Sequence, residues 1–71
     1  MNQCTIPFHI NAALARNPGS EVTTFLAPYE RRRGYYTAAE LRAADGSLIQ
    51  RASAPSERMA LINLDTALSL R

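Results

Sequence analysis

Tyr29-Glu30-Arg31-Arg32-Arg33-Gly34-Tyr35-Tyr36 is the stretch of this sequence richest in groups that recognise other molecules. Arginine forks grip phosphate or carboxylate through paired N–H bonds, and tyrosine supplies a stacking face and a hydroxyl. Concentrated in one segment, they suit a nucleic-acid backbone or an acidic protein patch. Arginine and tyrosine are also enriched among the side chains that dominate protein–protein interfaces. Tyr29, Arg31, Arg32, Arg33, Tyr35 and Tyr36 are therefore the candidate binding residues, with Arg58 further along the chain. The competing reading is a solvated loop in which Tyr35 or Tyr36 packs on a sheet.

Catalytic chemistry has few candidates. His9 is the one histidine and Cys4 the one cysteine. A Cys–His nucleophile needs an oxyanion hole and a third orienting group, and the sequence signals neither. One of each cannot close a four-ligand zinc site within a monomer. Gly19, Gly34 and Gly46 are isolated turn glycines, so no phosphate-cradling loop is present. The carboxylates are scattered, each near an arginine or in a capping or turn position. The expectation is a binding protein with no catalytic residue, no metal site and no cofactor.

Length and composition narrow the architecture that must position these residues. Seventy-one residues allow one small domain over 1–71. At this size only about 60% of the unfolded chain's surface is buried, so the core has to be compact. A hydrophobic content of 46% is ordinary for a globular domain. No run approaches the ~20 apolar residues of a membrane span. A single cysteine excludes an internal disulfide framework and fits a reducing, cytoplasmic setting. All eight basic residues are arginine, and alanine occurs twelve times, a balance typical of a GC-rich genome. Net charge is +2, and it is unevenly placed: residues 1–30 sum to −1, residues 31–42 to +3 and residues 43–71 to zero.

Turn chemistry divides the chain. Asn17-Pro18-Gly19-Ser20 is a cluster that no helix or central strand crosses. Before it, Asn11 can cap a short helix through Arg16, or Pro7 can open the helix earlier, and a strand over Thr5–Ile10 competes. Glu21–Ala27 reads as a strand stopped by Pro28, followed by a loop to Gly34. Asp45-Gly46 between Tyr35–Ala43 and Leu48–Ser53 is a strong hairpin signal. A two-residue turn faces Ala43 with Leu48, Leu41 with Gln50 and Glu40 with Arg51. It places Leu41 and Leu48 on one side and the Glu40–Arg51 pair on the other. A three-residue loop with a bulge pairs Leu41 with Ile49 instead.

The last segment satisfies two periods. As a strand, Ile62, Leu64, Thr66, Leu68 and Leu70 alternate with polar or small residues. As a helix, Ser56 is the N-cap, and Ala60, Leu61, Leu64, Ala67 and Leu68 fall within about 60° of Leu64. The cap and the alanine, leucine and methionine content favour the helix. That helix leaves Met59, Ile62 and Leu70 on the far side, a candidate apolar face for a partner or a homodimer.

The elements thus read α-β-β-β-α, an α+β domain with a three-stranded antiparallel sheet and helices packed on one face. This order, the phrase Ser56-Glu57-Arg58-Met59-Ala60 opening a helix with Ala67-Leu68 later, and the loop from Ala27-Pro28-Tyr29 to Gly34-Tyr35 resemble a double-stranded-RNA-binding domain. The resemblance implies a loop placed for the minor groove and phosphate contacts at the start of the last helix. Arg58 is the one base there, where that family has lysines. Size and chemical style fit a small phage or mobile-element inhibitor of anti-CRISPR type, bound to a host protein or protein–nucleic-acid complex. Direct binding of duplex RNA or DNA and a homodimeric structural role are the alternatives.

Overall fold

The computed structural model of the chain describes residues 7–70. Helix α1 spans Phe8–Arg16, followed by strands β1 (Glu21–Pro28), β2 (Tyr35–Arg42) and β3 (Leu48–Ala54), and helix α2 spans Glu57–Ser69. The strands form one antiparallel sheet in the order β1-β2-β3. The expected α-β-β-β-α order and α+β class are what the structure shows.

The core lies between one face of the sheet and both helices. Ile10 and Ala13 of α1 and Ala60, Leu64 and Leu68 of α2 cluster with Ala39, Leu41 and Ala54 of the sheet. Ile10, Leu41 and Leu64 are its largest fully buried side chains. Alanines at the remaining contacts let backbones approach closely, which is how a chain this short fills its interior. Helix α2 lies over β3 and β2, and α1 packs chiefly on α2.

Helix α2 begins as its sequence dictates: the Ser56 hydroxyl accepts a hydrogen bond from the Met59 N–H at 3.3 Å. Its buried residues Ala60, Leu64 and Leu68 follow the helical period, so the alternative strand over this segment does not form. Helix α1 starts earlier than an Asn11 cap requires. Pro7 occupies the N-cap, Asn11 sits exposed within the helix, and the Asn11 N–H bonds the Pro7 carbonyl at 3.0 Å. Proline cannot cap with a side chain, so the free donors of the first turn are taken from outside. Asp65 Oδ1, on α2, accepts from the His9 N–H at 2.6 Å and the Ile10 N–H at 2.9 Å. The competing strand over Thr5–Ile10 is excluded where it meets the helix at Phe8–Ile10; Thr5 and Ile6, with Cys4, lie outside the described residues.

The β2–β3 hairpin differs from the two-residue turn. Ala43 donates to the Ser47 carbonyl at 2.9 Å and Gly46 to the Ala43 carbonyl at 2.9 Å, so Ala44-Asp45-Gly46 forms a three-residue loop. Gly46 has φ +91°, the left-handed conformation such a loop demands of its last residue. A bulge between Leu41 and Arg42 opposite Leu48–Gln50 then restores the pairs Leu41–Gln50 and Glu40–Arg51. Leu48 consequently opposes Arg42 rather than Ala43 and is exposed, instead of sharing the buried side of Leu41. Ile49 packs against the core in its place. Burial of the branched side chain settles a register that turn chemistry leaves open.

Candidate arginine–tyrosine surface

Directly opposed residues of an antiparallel sheet share a face, so the register sorts the side chains. Val22, Thr24, Ala39 and Leu41 look toward the helices. Thr23, Phe25 and Ala27 of β1, Tyr36, Ala38 and Glu40 of β2, and Arg51 and Ser53 of β3 lie on the side that, among the described residues, no helix covers. Ala38 and Glu40 are nonetheless buried there, which means the surrounding side chains close over them.

Glu40 is the electrostatic centre of this face. Its Oε1 accepts from Arg42 Nε at 2.9 Å and its Oε2 from Arg51 Nη1 at 3.2 Å. One buried carboxylate thus holds two half-exposed guanidinium groups. Arg51 is further fixed by Tyr36, whose hydroxyl lies 3.4 Å from Nη2, and by Phe25, whose ring centroid is 5.6 Å from the guanidinium carbon. Tyr36 in turn meets Tyr29 at 5.4 Å between ring centroids, and Arg32 covers the Tyr29 ring at 4.0 Å. The result is one continuous chain of contacts: Arg32, Tyr29, Tyr36, Arg51, Phe25.

The β1–β2 loop owes its shape to a local closure. The Tyr29 N–H donates to the Gly34 carbonyl at 3.1 Å, so Glu30–Arg33 project from a pinched base. The Tyr29 ring is set against Tyr36, which lies on the helix-free side. Arg31, Arg32 and Arg33 are exposed, and among the described residues none of them lies within ion-pair distance of a carboxylate.

The candidate residues therefore divide. The structure brings Tyr29, Arg32 and Tyr36 into contact, with Arg31 and Arg33 beside them. Tyr35 is 63% exposed and, by strand alternation, faces the helix side. Arg58 is exposed in the first turn of α2, in the other layer, although at the loop's end of the sheet, because Ala54 pairs with Thr37 just before α2 begins. Met59, Ile62 and Leu70 are 47%, 42% and 81% exposed and form an apolar face of α2. Phe25, Arg51 and Arg42 join the surface although the sequence reading did not place them among the candidate binding residues. Alternation in β1 and the Glu40–Arg51 pairing were the signals for the first two.

His9 stacks edge-on against Phe8 with centroids 5.1 Å apart. Among the described residues, no group of three or more His, Cys, Asp or Glu side chains could hold a metal ion, and no helix is long and apolar enough to cross a membrane. Compared with models of known protein families, with curated proteins and with solved structures, the chain matches none.

Proposed function

We propose that this chain is a small non-enzymatic binding protein, a phage or mobile-element inhibitor of anti-CRISPR type, that docks on a host nucleic-acid-handling complex. The observation that carries this reading is the set of loop arginines, Arg31 to Arg33, displayed without carboxylate partners among the described residues and beside a fixed tyrosine pair. Complexes that handle nucleic acid present phosphates from the strand they hold and carboxylates from metal-binding catalytic centres. An arginine fork takes either one bidentately. The Met59, Ile62 and Leu70 face of α2 supplies the apolar anchor that a charged contact alone lacks.

The test is a panel of guide-loaded CRISPR effector complexes assayed for target cleavage with saturating wild-type protein or the Arg31/Arg32/Arg33→Ala variant. Inhibition by the wild type and its loss in the variant is the expected result. Full cleavage by every complex in the presence of wild type overturns the proposal.

A second reading, direct binding of duplex RNA or DNA, is favoured by Arg58 standing at the same end of the sheet as the loop. It predicts that Arg58→Ala and the loop variant both weaken duplex binding. Affinity should then fall by roughly 0.9 log unit per log unit of salt for each B-DNA phosphate neutralised. A protein contact anchored on apolar side chains responds to salt far less.

A further inference from the structure

We infer that the helix-free face of the sheet is a platform for single-stranded nucleic acid, with bases stacked on Phe25 and Tyr36 and phosphates held by Arg31, Arg32, Arg33 and Arg51. This rests on the reading of the arginine–tyrosine surface as the contact surface. It names the component of the target that is touched, an unpaired strand.

Charge selects this face. Arg31, Arg32, Arg33, Arg42 and Arg51 on the face and its loop stand against Glu21, Glu30 and Glu40, which leaves +2, the net charge of the whole chain. The other three arginines and three carboxylates cancel. Among the described residues the excess of arginine over carboxylate therefore lies on one side of a thin molecule whose shortest extent is 21 Å. A polyanion approaching from solution is directed there.

Aromatic content selects the single strand over the duplex. Phe25, Tyr29 and Tyr36 come from β1, the loop and β2 and converge on the same side, and Phe25 is 41% exposed. In a duplex the base faces are already stacked on one another, so these rings would gain nothing from it beyond what the arginines provide. An unpaired base can lie on a ring or on a guanidinium plane, and every base has such a face. The platform is also held in place beforehand. Buried Glu40 orients Arg51, and Arg51 bridges Tyr36 and Phe25, so little ordering remains to be done on binding.

The experiment is fluorescence anisotropy with labelled single-stranded DNA, single-stranded RNA and a duplex of the same length, against wild type, Phe25→Leu, Phe25→Tyr and Arg31/Arg33→Ala, with far-UV circular dichroism confirming each fold. Single strands should bind at least tenfold more tightly than the duplex. Phe25→Leu, which keeps an apolar residue and removes the ring, should lose about tenfold or more, and Phe25→Tyr should retain binding. Arg31/Arg33→Ala should weaken binding and flatten its salt dependence. The two single-stranded probes identify which nucleic acid is preferred. Equal or tighter duplex binding, no binding of any strand, or full affinity in a folded Phe25→Leu protein overturns the inference. Inhibition of an effector complex without strand binding overturns it while leaving the docking proposal standing. Strand binding without inhibition does the reverse.

Discussion

Asp65→Ala tests the longest-range hydrogen bonds among the described residues. The carboxylate of Asp65 reaches from α2 to two backbone donors in the first turn of α1, His9 and Ile10. Pro7 provides no side-chain cap and the first turn of α1 has no acidic residue, so among the described residues nothing nearby on α1 replaces it. Loss of an N-cap costs about 0.5–2 kcal/mol. Leaving part-buried donors of a charge-assisted bond unmet brings the cost to the upper end, about 2 kcal/mol. Alanine is the better helix former within α2 and returns up to about 0.6 kcal/mol, for a net loss near 1.5 kcal/mol. For a domain this small that corresponds to a fall in Tm of roughly 6–12 °C, at about 4–8 °C per kcal/mol. Asp65→Asn keeps an acceptor oxygen without the charge and should lose less than half as much. Thermal denaturation followed by far-UV circular dichroism gives the first number, and amide hydrogen exchange at His9 and Ile10 localises it. A Tm for Asp65→Ala within about 2 °C of wild type, with exchange at those two amides unchanged, would refute the inter-helix cap.

Other perturbations address other parts of the structure. Leu64→Ala opens a hole beside Ile10 and Leu41 and should cost about 2–5 kcal/mol in urea denaturation, whereas Ile62→Ala on the exposed side of α2 should cost under about 1 kcal/mol; equal losses would mean the helix is wrongly rotated. Gly19 has φ +85° and an added Cβ would lie 2.8 Å from the Ala44 Cβ, while Gly46 at φ +91° faces open space. Gly46→Ala should therefore cost about 1–2 kcal/mol from backbone strain alone, and Gly19→Ala more; the reverse order in a melting experiment would contradict that packing. The Ser47 hydroxyl, then its N–H, hold the Asp45 carboxyl below the ordinary aspartate value of 3.8. Its contribution to stability is thus complete above that value and lost as pH falls through the lower folded-state value. An NMR titration of Ser47→Ala should show Asp45 moving back up, and an unmoved midpoint would remove the hydroxyl as the cause.

What could be read from the sequence divides by range. Ser56 caps α2 with an oxygen three residues from the amide it accepts, and Asp45-Gly46 bends the hairpin within its own loop, so both were visible as local chemistry. The start of α1 was not. Asn11 has the right side chain for a cap, yet α1 begins at Phe8, and the donors left free in its first turn, His9 and Ile10, are met by Asp65, more than fifty positions away. The hairpin shows the same division within one element. Counting outward from the turn gave the Glu40–Arg51 pair, but the bulge at Ile49 follows from which branched side chain the helices bury. At the candidate surface, a run of arginines draws attention to the loop because its charge is contiguous. Phe25 and Arg51 are twenty-six positions apart and meet only through the register of three strands.

That register also explains why the helix-free face is charged and aromatic at all. Strand β2 is the central strand and is buried on both sides, at Ala39 and Leu41 under the helices and at Ala38 and Glu40 on the other side. A third layer would cover the second pair in a larger protein. Here the cover comes from long side chains of the neighbouring strands: Phe25 beside Ala38, and Arg51 and Arg42 over Glu40. Arginine suits this role because its stem lies along apolar surface while its head remains in water. The same geometry leaves a row of oriented guanidinium groups and rings facing solvent. If this face is the binding surface proposed above, stability and recognition are coupled on it. Phe25→Ala would confound them by uncovering Ala38, whereas Phe25→Leu keeps the cover and removes only the ring. If the two substitutions lowered strand affinity equally while only Phe25→Ala lowered Tm, the ring would be acting through recognition, and its role as a lid would be separable from its role as a platform.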